Sequence, residues 1–391
     1  MKSISRVVLI LSVVSLFTDM ASEMLYPIMP IYLQQIGFSV IWIGILEGFA
    51  EAIAGLSKGY FGKLSDRSGK RVPFVQAGYA LSAISKPLLA LFVQPLWVFT
   101  TRTLDRLGKG IRTGARDALL SDEAKESDKG KVFGFHRAMD TMGAVLGPLL
   151  ALLYLHYFPE DYRTLFLIAL FPGLIAVWAT GKLKEAQRPV EGKDSVSFFS
   201  FLNYVKQSRP EYRRILIGLL FFALANSSDV FLLLKAKEAG LSDIFVIGIY
   251  IFYNLIYAIF AFPLGSLADR IGLERMVIAG LLLFAMVYFL ISVAEGPKLL
   301  LVCFFLYGLY AAATEGVSKA WLSTSCDKKE TATAIGTFTA FQSLTALVAS
   351  SLAGIIWFNL GAKYMFIFSA VLTLAVVIYF MSTRSHAGEN R

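Results

Sequence analysis

With two cysteines and three scattered histidines in 391 residues, disulfide and metal chemistry have little to work with. Cys303 lies in an apolar run and Cys326 beside a polar one, so there is no disulfide framework. No zinc spacing, Gly-rich phosphate loop or nucleophile elbow is present, and neither an enzyme nor a cofactor is expected. Without a Walker sequence the chain cannot be an ATP-driven pump. Charge is also scarce, at 17% of residues, against about 25% in soluble domains. What fills the chain is apolar: 56% is hydrophobic, and Phe, with 32 copies, is the commonest aromatic.

That balance points to a membrane. A hydrocarbon core about 30 Å thick takes roughly 20 apolar residues per helix. Runs between charged or Pro/Gly breaks predict twelve spans: 7–35, 39–62, 73–93, 96–120, 131–157, 163–181, 212–235, 244–267, 275–294, 298–323, 331–358 and 362–382. The first run is too long for a signal peptide and no small-residue cleavage site follows it. The net charge of +9 does not form a nucleic-acid patch. Basic residues fall in alternate loops, among them 63–71, 125–131 and 182–214, whereas 36–41 and 93–95 carry no charge. By the positive-inside rule both termini are cytoplasmic.

The chain repeats itself. Gly62-Lys63-Leu64-Ser65-Asp66-Arg67-Ser68-Gly69-Lys70-Arg71 returns as Gly265-Ser266-Leu267-Ala268-Asp269-Arg270-Ile271-Gly272, each copy joining two apolar runs. Gly134-Phe135 aligns with Gly336-Thr337, and Ser22-Glu23-Met24 roughly with Ser228-Asp229-Val230. Doubling of this kind marks an alternating-access transporter. It divides the chain into a six-helix bundle at 1–181, a polar linker at 182–211 and a second bundle at 212–391. Within the linker, 197–205 reads as a short surface helix or a solvated connection.

On these residues the chain resembles the major facilitator superfamily over essentially its whole length. The 62–71 block matches that family's loop between helices two and three, and the 265–275 block its weaker second copy. Arg102-Thr103-Leu104-Asp105-Arg106-Leu107-Gly108-Lys109-Gly110 is similar to the helix-four signature, with Lys109 where Gln is usual. Gly143-Ala144-Val145-Leu146-Gly147-Pro148-Leu149-Leu150-Ala151 resembles the helix-five element of the antiporter branch, with Ala151 replacing the last Gly. The resemblance implies an all-α membrane fold of two pseudo-symmetric bundles, monomeric, in the inner membrane of a prokaryote. It further implies a small-molecule solute, proton-coupled efflux and a latch at the 62–71 loop built from Gly62, Asp66, Arg67, Gly69, Arg71, Asp269 and Arg270. An uptake symporter or uniporter for a defined, anionic metabolite is the alternative.

Charges inside a bilayer are costly and ask for a partner or a task. At about 1.5 Å rise per residue, Asp19 and Arg106 share one depth, and Glu23 and Arg102 another. These four residues are expected to form a cavity network in which a carboxylate carries the proton and the arginines bind a substrate anion or hold the carboxylate; a static ion-pair set is the bland reading. Glu47 is expected to tie to Lys86, and Glu51 to approach Asp140. Asp229 sits in a polar island with Asn226, Ser227 and Ser228, and Glu315 and Lys319 are spaced to pair with each other. Arg112 adds a further embedded cation. Gly143 and Gly147 permit close helix packing and Pro148 a kink, as Pro27 and Pro30 do in the first helix. Arg67, Lys70 and Arg71 are expected to reach anionic lipid headgroups.

Overall fold

The computed structural model describes residues 4–26, 28–38, 40–185 and 197–388. These residues are helical apart from turns and short connections, with no strand among them. The spans follow as α1 (Arg6–Glu23) with α2 (Met29–Gln35), α3 (Val40–Ser68), α4 (Val72–Leu88), α5 (Pro95–Glu123), α6 (Lys129–Tyr157) and α7 (Tyr162–Ile168) with α8 (Leu170–Thr180). After a short α9 (Leu202–Gln207) come α10 (Pro210–Ala225) with α11 (Val230–Glu238), α12 (Asp243–Ile271), α13 (Leu273–Ser292), α14 (Pro297–Thr324), α15 (Thr331–Leu360) and α16 (Ala362–Gly388).

Start and stop chemistry is local. Ser5 caps α1 by accepting from the Val8 amide, and Ser242 caps α12 through the Phe245 amide. Pro opens α5, α10 and α14, where its missing amide costs nothing. Gly69 (φ 64°) and Gly272 (φ 102°) end the helices that carry the duplicated motif, each in backbone that a side chain would strain.

The seventh expected span is not continuous. The 212–235 run breaks at 226–229: Asn226 leaves the helix with φ −89° and ψ 80°, and α11 restarts after Asp229. Asn, two Ser and Asp offer the backbone side-chain hydrogen bonds in place of helical ones, and the helix yields there. The first span is likewise divided between α1 and α2; Pro27, expected to bend it, lies outside the described residues. The linker residues 186–196 lie outside them too.

Among the described residues, eight helical stretches are long and apolar enough to cross a membrane by length and composition. Of the other helices, α1, α4 and α5 are shorter or more charged. They carry Asp19, Lys86 and the α5 arginines.

The chain forms two compact units. Unit 1 comprises Met1–Lys125, Phe135–Gln207 and Cys326–Ala340, and unit 2 Glu126–Gly134, Ser208–Ser325 and Phe341–Arg391. In unit 1, α5 packs against both α3 and α4, and α8 against α1 and α4. Small residues permit this: a Cβ on Gly108 would strike Ser82 and the Gly78 carbonyl, and one on Gly110 would strike Ser57. In unit 2, α14 packs against α12 and α13, and α16 against α10 and α13.

Candidate functional site

In unit 1, α5 is a charged spine. Arg102, Arg106 and Lys109 recur at helical spacing, which places them along one side. Arg106 Nε lies 3.8 Å from Glu51 Oε2, and Lys58 Nζ lies 4.0 Å from Glu51 Oε1. The cations acting on Glu23 are Lys109, Arg106 and Arg102. Arg102 is buried beside a small polar pocket shared with Ser22, Lys86 and Asp105. Lys86 Nζ pairs with Asp105 at 3.1 Å. Lys86 was expected to meet Glu47, whose side chain lies outside the described residues. Arg112 serves packing: it donates to Ser82 at 2.7 Å and stacks over the Tyr79 ring at 4.5 Å.

The charged groups that act most strongly on Asp19 are Asp140, within hydrogen-bonding reach, and Lys109, one turn along α5 from Arg106. Depth counted from helix ends ignores tilt, and the packing of α6 on α1 moves the register. Asp140, expected near Glu51, instead accepts from Ser15 on α1 and from Arg137 at 2.6 Å. Gly143 and Gly147 explain why the carboxyls meet. A Cβ on Gly143 would run into the Leu16 carbonyl, the Met20 amide and Asp19 Cβ; one on Gly147 would meet the backbone of Met20, Glu23 and Met24. The two glycines let α6 lie against the turns of α1 that carry Asp19 and Glu23.

The duplicated motif repeats in hydrogen bonds as well as in sequence. In unit 1, Asp66 Oδ2 accepts from the Thr333 amide at 2.6 Å and its hydroxyl at 2.8 Å. In unit 2, Asp269 accepts from the amides of Gly130 at 2.7 Å and Lys131 at 2.8 Å. Each aspartate thus satisfies orphan amides in the first turn of another helix, where the helix dipole favours an anion. Gly62 lies against the Ala332 carbonyl and Gly265 against the Gly130 carbonyl, closer than any side chain would allow. Burial pushes the Asp66 carboxyl, beyond the apolar part of α3, up to about 6, while Arg71 and the Thr333 donors pull it back.

Arg71 is not at lipid headgroups. It is 1% exposed and bonds Asp122 at 2.6 Å and Asp66 at 3.1 Å. Two carboxylates offset the cost of burying it, whereas Lys70 and Arg270 remain exposed. Glu185 from the start of the linker accepts from the Arg71 and Val72 amides at 3.0 and 2.7 Å, and Ser200 from the linker's far end accepts from Lys63 at 2.8 Å.

In unit 2, Asp229 stands at the break between α10 and α11. Its carboxylate accepts from the hydroxyls of Tyr253 and Tyr307, the latter at 2.6 Å. The charged neighbour acting on it is a second acid, Glu315.

A duplicated helical unit, embedded charges and a twofold helix-start motif are now joined by direct comparison. The family model described as Major Facilitator Superfamily matches residues 11–256 and 236–391. The chain belongs to the major facilitator superfamily. It is 33% identical over 379 residues to an uncharacterized MFS-type transporter of Methanocaldococcus jannaschii, covering 95% of this chain and 94% of that one. It is 23% identical to the multidrug resistance protein MdtG of Yersinia enterocolitica, covering 93% of this chain and 89% of that one. The human organic anion transporter MFSD10 shares its fold, with a TM-score of 0.80 at 17% identity over 96% of this chain and 99% of that one. The Escherichia coli fucose:proton symporter FucP does so with a TM-score of 0.77 at 14% identity, covering 97% and 98%. The all-helical superfamily fold and the multi-pass membrane character follow.

For a superfamily member, sequence reasoning passed over several residues. Lys109 entered only as an unusual residue in a motif, although its place three positions after Arg106 puts it on the same face. Lys58 and Asp105 were not singled out, nor was Tyr307. No sequence signal distinguishes Tyr307 from the chain's 17 tyrosines.

Proposed function

We propose that this transporter exports a small solute in exchange for protons by alternating access, with 1–181 and 212–391 as its two repeats. One arrangement carries the reading: Asp19 and Asp140 in contact on tightly packed α1 and α6, with Lys109 acting on Asp19 and Arg137 paired to Asp140. Two carboxyls in contact repel when both are ionised and are joined by a shared proton. Approach of a charged solute, or movement of Lys109 or Arg137, changes which state is cheaper, and that is the elementary step of coupling. The antiporter-like element around Gly143, Gly147 and Pro148, and the relatives named multidrug resistance protein, support export. Asp66 and Asp269 act as conformational contacts, made and broken at the starts of α15 and α6. Both termini are then cytoplasmic and the protein is a monomer of the inner membrane.

A second reading is uptake of an anionic metabolite. The cations Lys58, Arg102, Arg106 and Lys109 outnumber the Glu23 and Glu51 carboxylates beside them once the Lys86–Asp105 and Arg137–Asp140 pairs are set apart.

The test is proton movement in everted vesicles, followed with a pH-sensitive dye while cationic drugs, siderophores, sugars and organic anions are added in turn. Proton release with one class, lost in Asp19→Asn, is the expected result. Equilibration of labelled solute in proteoliposomes with no proton signal would overturn coupling through Asp19.

A further inference from the structure

Among the described residues no base is seen to act on Asp229. The break at 226–229 opens the helix where a charge is dearest, and the charged group acting on Asp229 there is Glu315. Around it stand further side-chain oxygens. Asn226 Oδ1 is buried and unpaired, and the Tyr288 hydroxyl lies within hydrogen-bonding reach of the Ser227 and Tyr307 hydroxyls. Ser227 is 5% exposed and Tyr288 fully buried. The neighbours acting on the Tyr288 hydroxyl are Asp229, Ser227 and Tyr307, so it points into this cluster. The Tyr253 and Tyr307 hydroxyls donate to the Asp229 carboxylate, and each keeps lone pairs that can face a cation once the hydroxyl turns.

Size narrows the occupant. The rings of Tyr253 and Tyr307 are 5.4 Å apart between centroids, those of Tyr307 and Tyr310 5.2 Å, and those of Phe284 and Tyr288 3.9 Å. Side chains packed this closely suit a small ion. The donors are all oxygen, one of them carboxylate, which suits a hard ion rather than a transition metal. Unwound helix segments in the membrane serve such ions with backbone oxygens.

We propose that the α10–α11 break, with Asp229, Asn226, Ser227 and the hydroxyls of Tyr253, Tyr288 and Tyr307, is a binding site for a sodium ion. It is separate in residues and in chemistry from the Asp19–Asp140 pair of unit 1. It does not depend on which group there carries the proton.

The experiment is equilibrium binding of radioactive sodium to the purified protein in detergent, in sodium-free choline buffer at neutral pH, with lithium as competitor. Saturable binding at one site per chain is expected. It should weaken about tenfold or more in Asp229→Asn, the scale of one lost contact to a charge, and less in the milder Ser227→Ala. Asp19→Asn should bind sodium like the parent protein, so failure of the proton-exchange reading would leave this result standing. Absence of saturable sodium binding by protein that elutes as a single folded species would overturn the proposal. So would binding that survives in folded Asp229→Asn. A protonated-carboxyl infrared band that Asp229→Asn abolishes, in protein that binds no sodium, would assign the site to a proton instead.

Discussion

The two compact units surround their embedded acids differently. Unit 1 sets charge against charge: Glu51 lies near Lys58 and Arg106, Asp105 on Lys86, Asp140 on Arg137, and Asp66 and Asp122 on Arg71. Unit 2 surrounds its central acid with neutral hydroxyls and rings. Ion pairs hold buried charge in place only while both partners remain, whereas hydroxyls can donate or accept and so tolerate a change of charge on the acid. Chemistry that exchanges protons against a charged solute suits the first arrangement. A site that gains and loses a small cation suits the second.

The contrast can be broken most severely at Arg71. Arg71→Ala leaves Asp66 and Asp122 without their guanidinium and should cost about 3–5 kcal/mol, read as a large fall in melting temperature of the purified protein. A melt like the parent's would show that the buried triad constrains nothing. Gly143→Val should push α6 off α1 and cost about 1–3 kcal/mol by overpacking. Separating Asp19 from Asp140, it should also diminish substrate-induced proton release in vesicles; full proton release would dissociate coupling from that contact. In unit 2, Tyr307→Phe removes one donor to Asp229 while keeping the ring, and a loss of only about 1 kcal/mol is expected in the same melt. A loss as large as that of Arg71→Ala would erase the distinction between the units.

Asp66 gives a pH-dependent comparison. Its carboxyl is raised to about 6 by burial, so the folded chain binds that proton more tightly than the unfolded chain does. Its contribution to stability should therefore fall as pH climbs from about 4 toward 6 and then level off. The difference in melting temperature between the parent and Asp66→Asn, followed across that window, should show this slope; a flat difference would count against it. The smallest effect belongs to Lys70→Ala. Adjacent to Arg71 in sequence but exposed, it should shift stability by less than about 0.5 kcal/mol.

Much of the fold was legible in the chain. Apolar runs of spanning length, the doubled Gly-x-Leu-x-Asp-Arg-x-Gly turn and the alternation of basic loops lead to a duplicated helical membrane protein. The site was legible only in its residue types. Asp19, Glu23, Arg102 and Arg106 could be singled out because any charge in a long apolar run is expensive. Their partners could not, because depth along a helix says nothing of rotation or tilt. That Asp140 and Lys109 act most strongly on Asp19 could not be read from depth for that reason. Arg71 illustrates the same gap: as a loop arginine it reads as a headgroup contact, and only its carboxylate neighbours draw it inside.

The sequence by itself determined that this protein lies in a membrane, that it is built from a repeated helical unit and which side chains are too costly to be there without purpose. Those facts follow from composition, period and spacing, which are properties of the chain alone. Tertiary structure decided which charges answer one another, that the seventh span opens at Asp229, and that Tyr253, Tyr307 and Tyr288 gather around it. Such pairings depend on how close two helices can come, and here that distance is set by glycines such as Gly143 and Gly147, far in sequence from the residues they bring into contact.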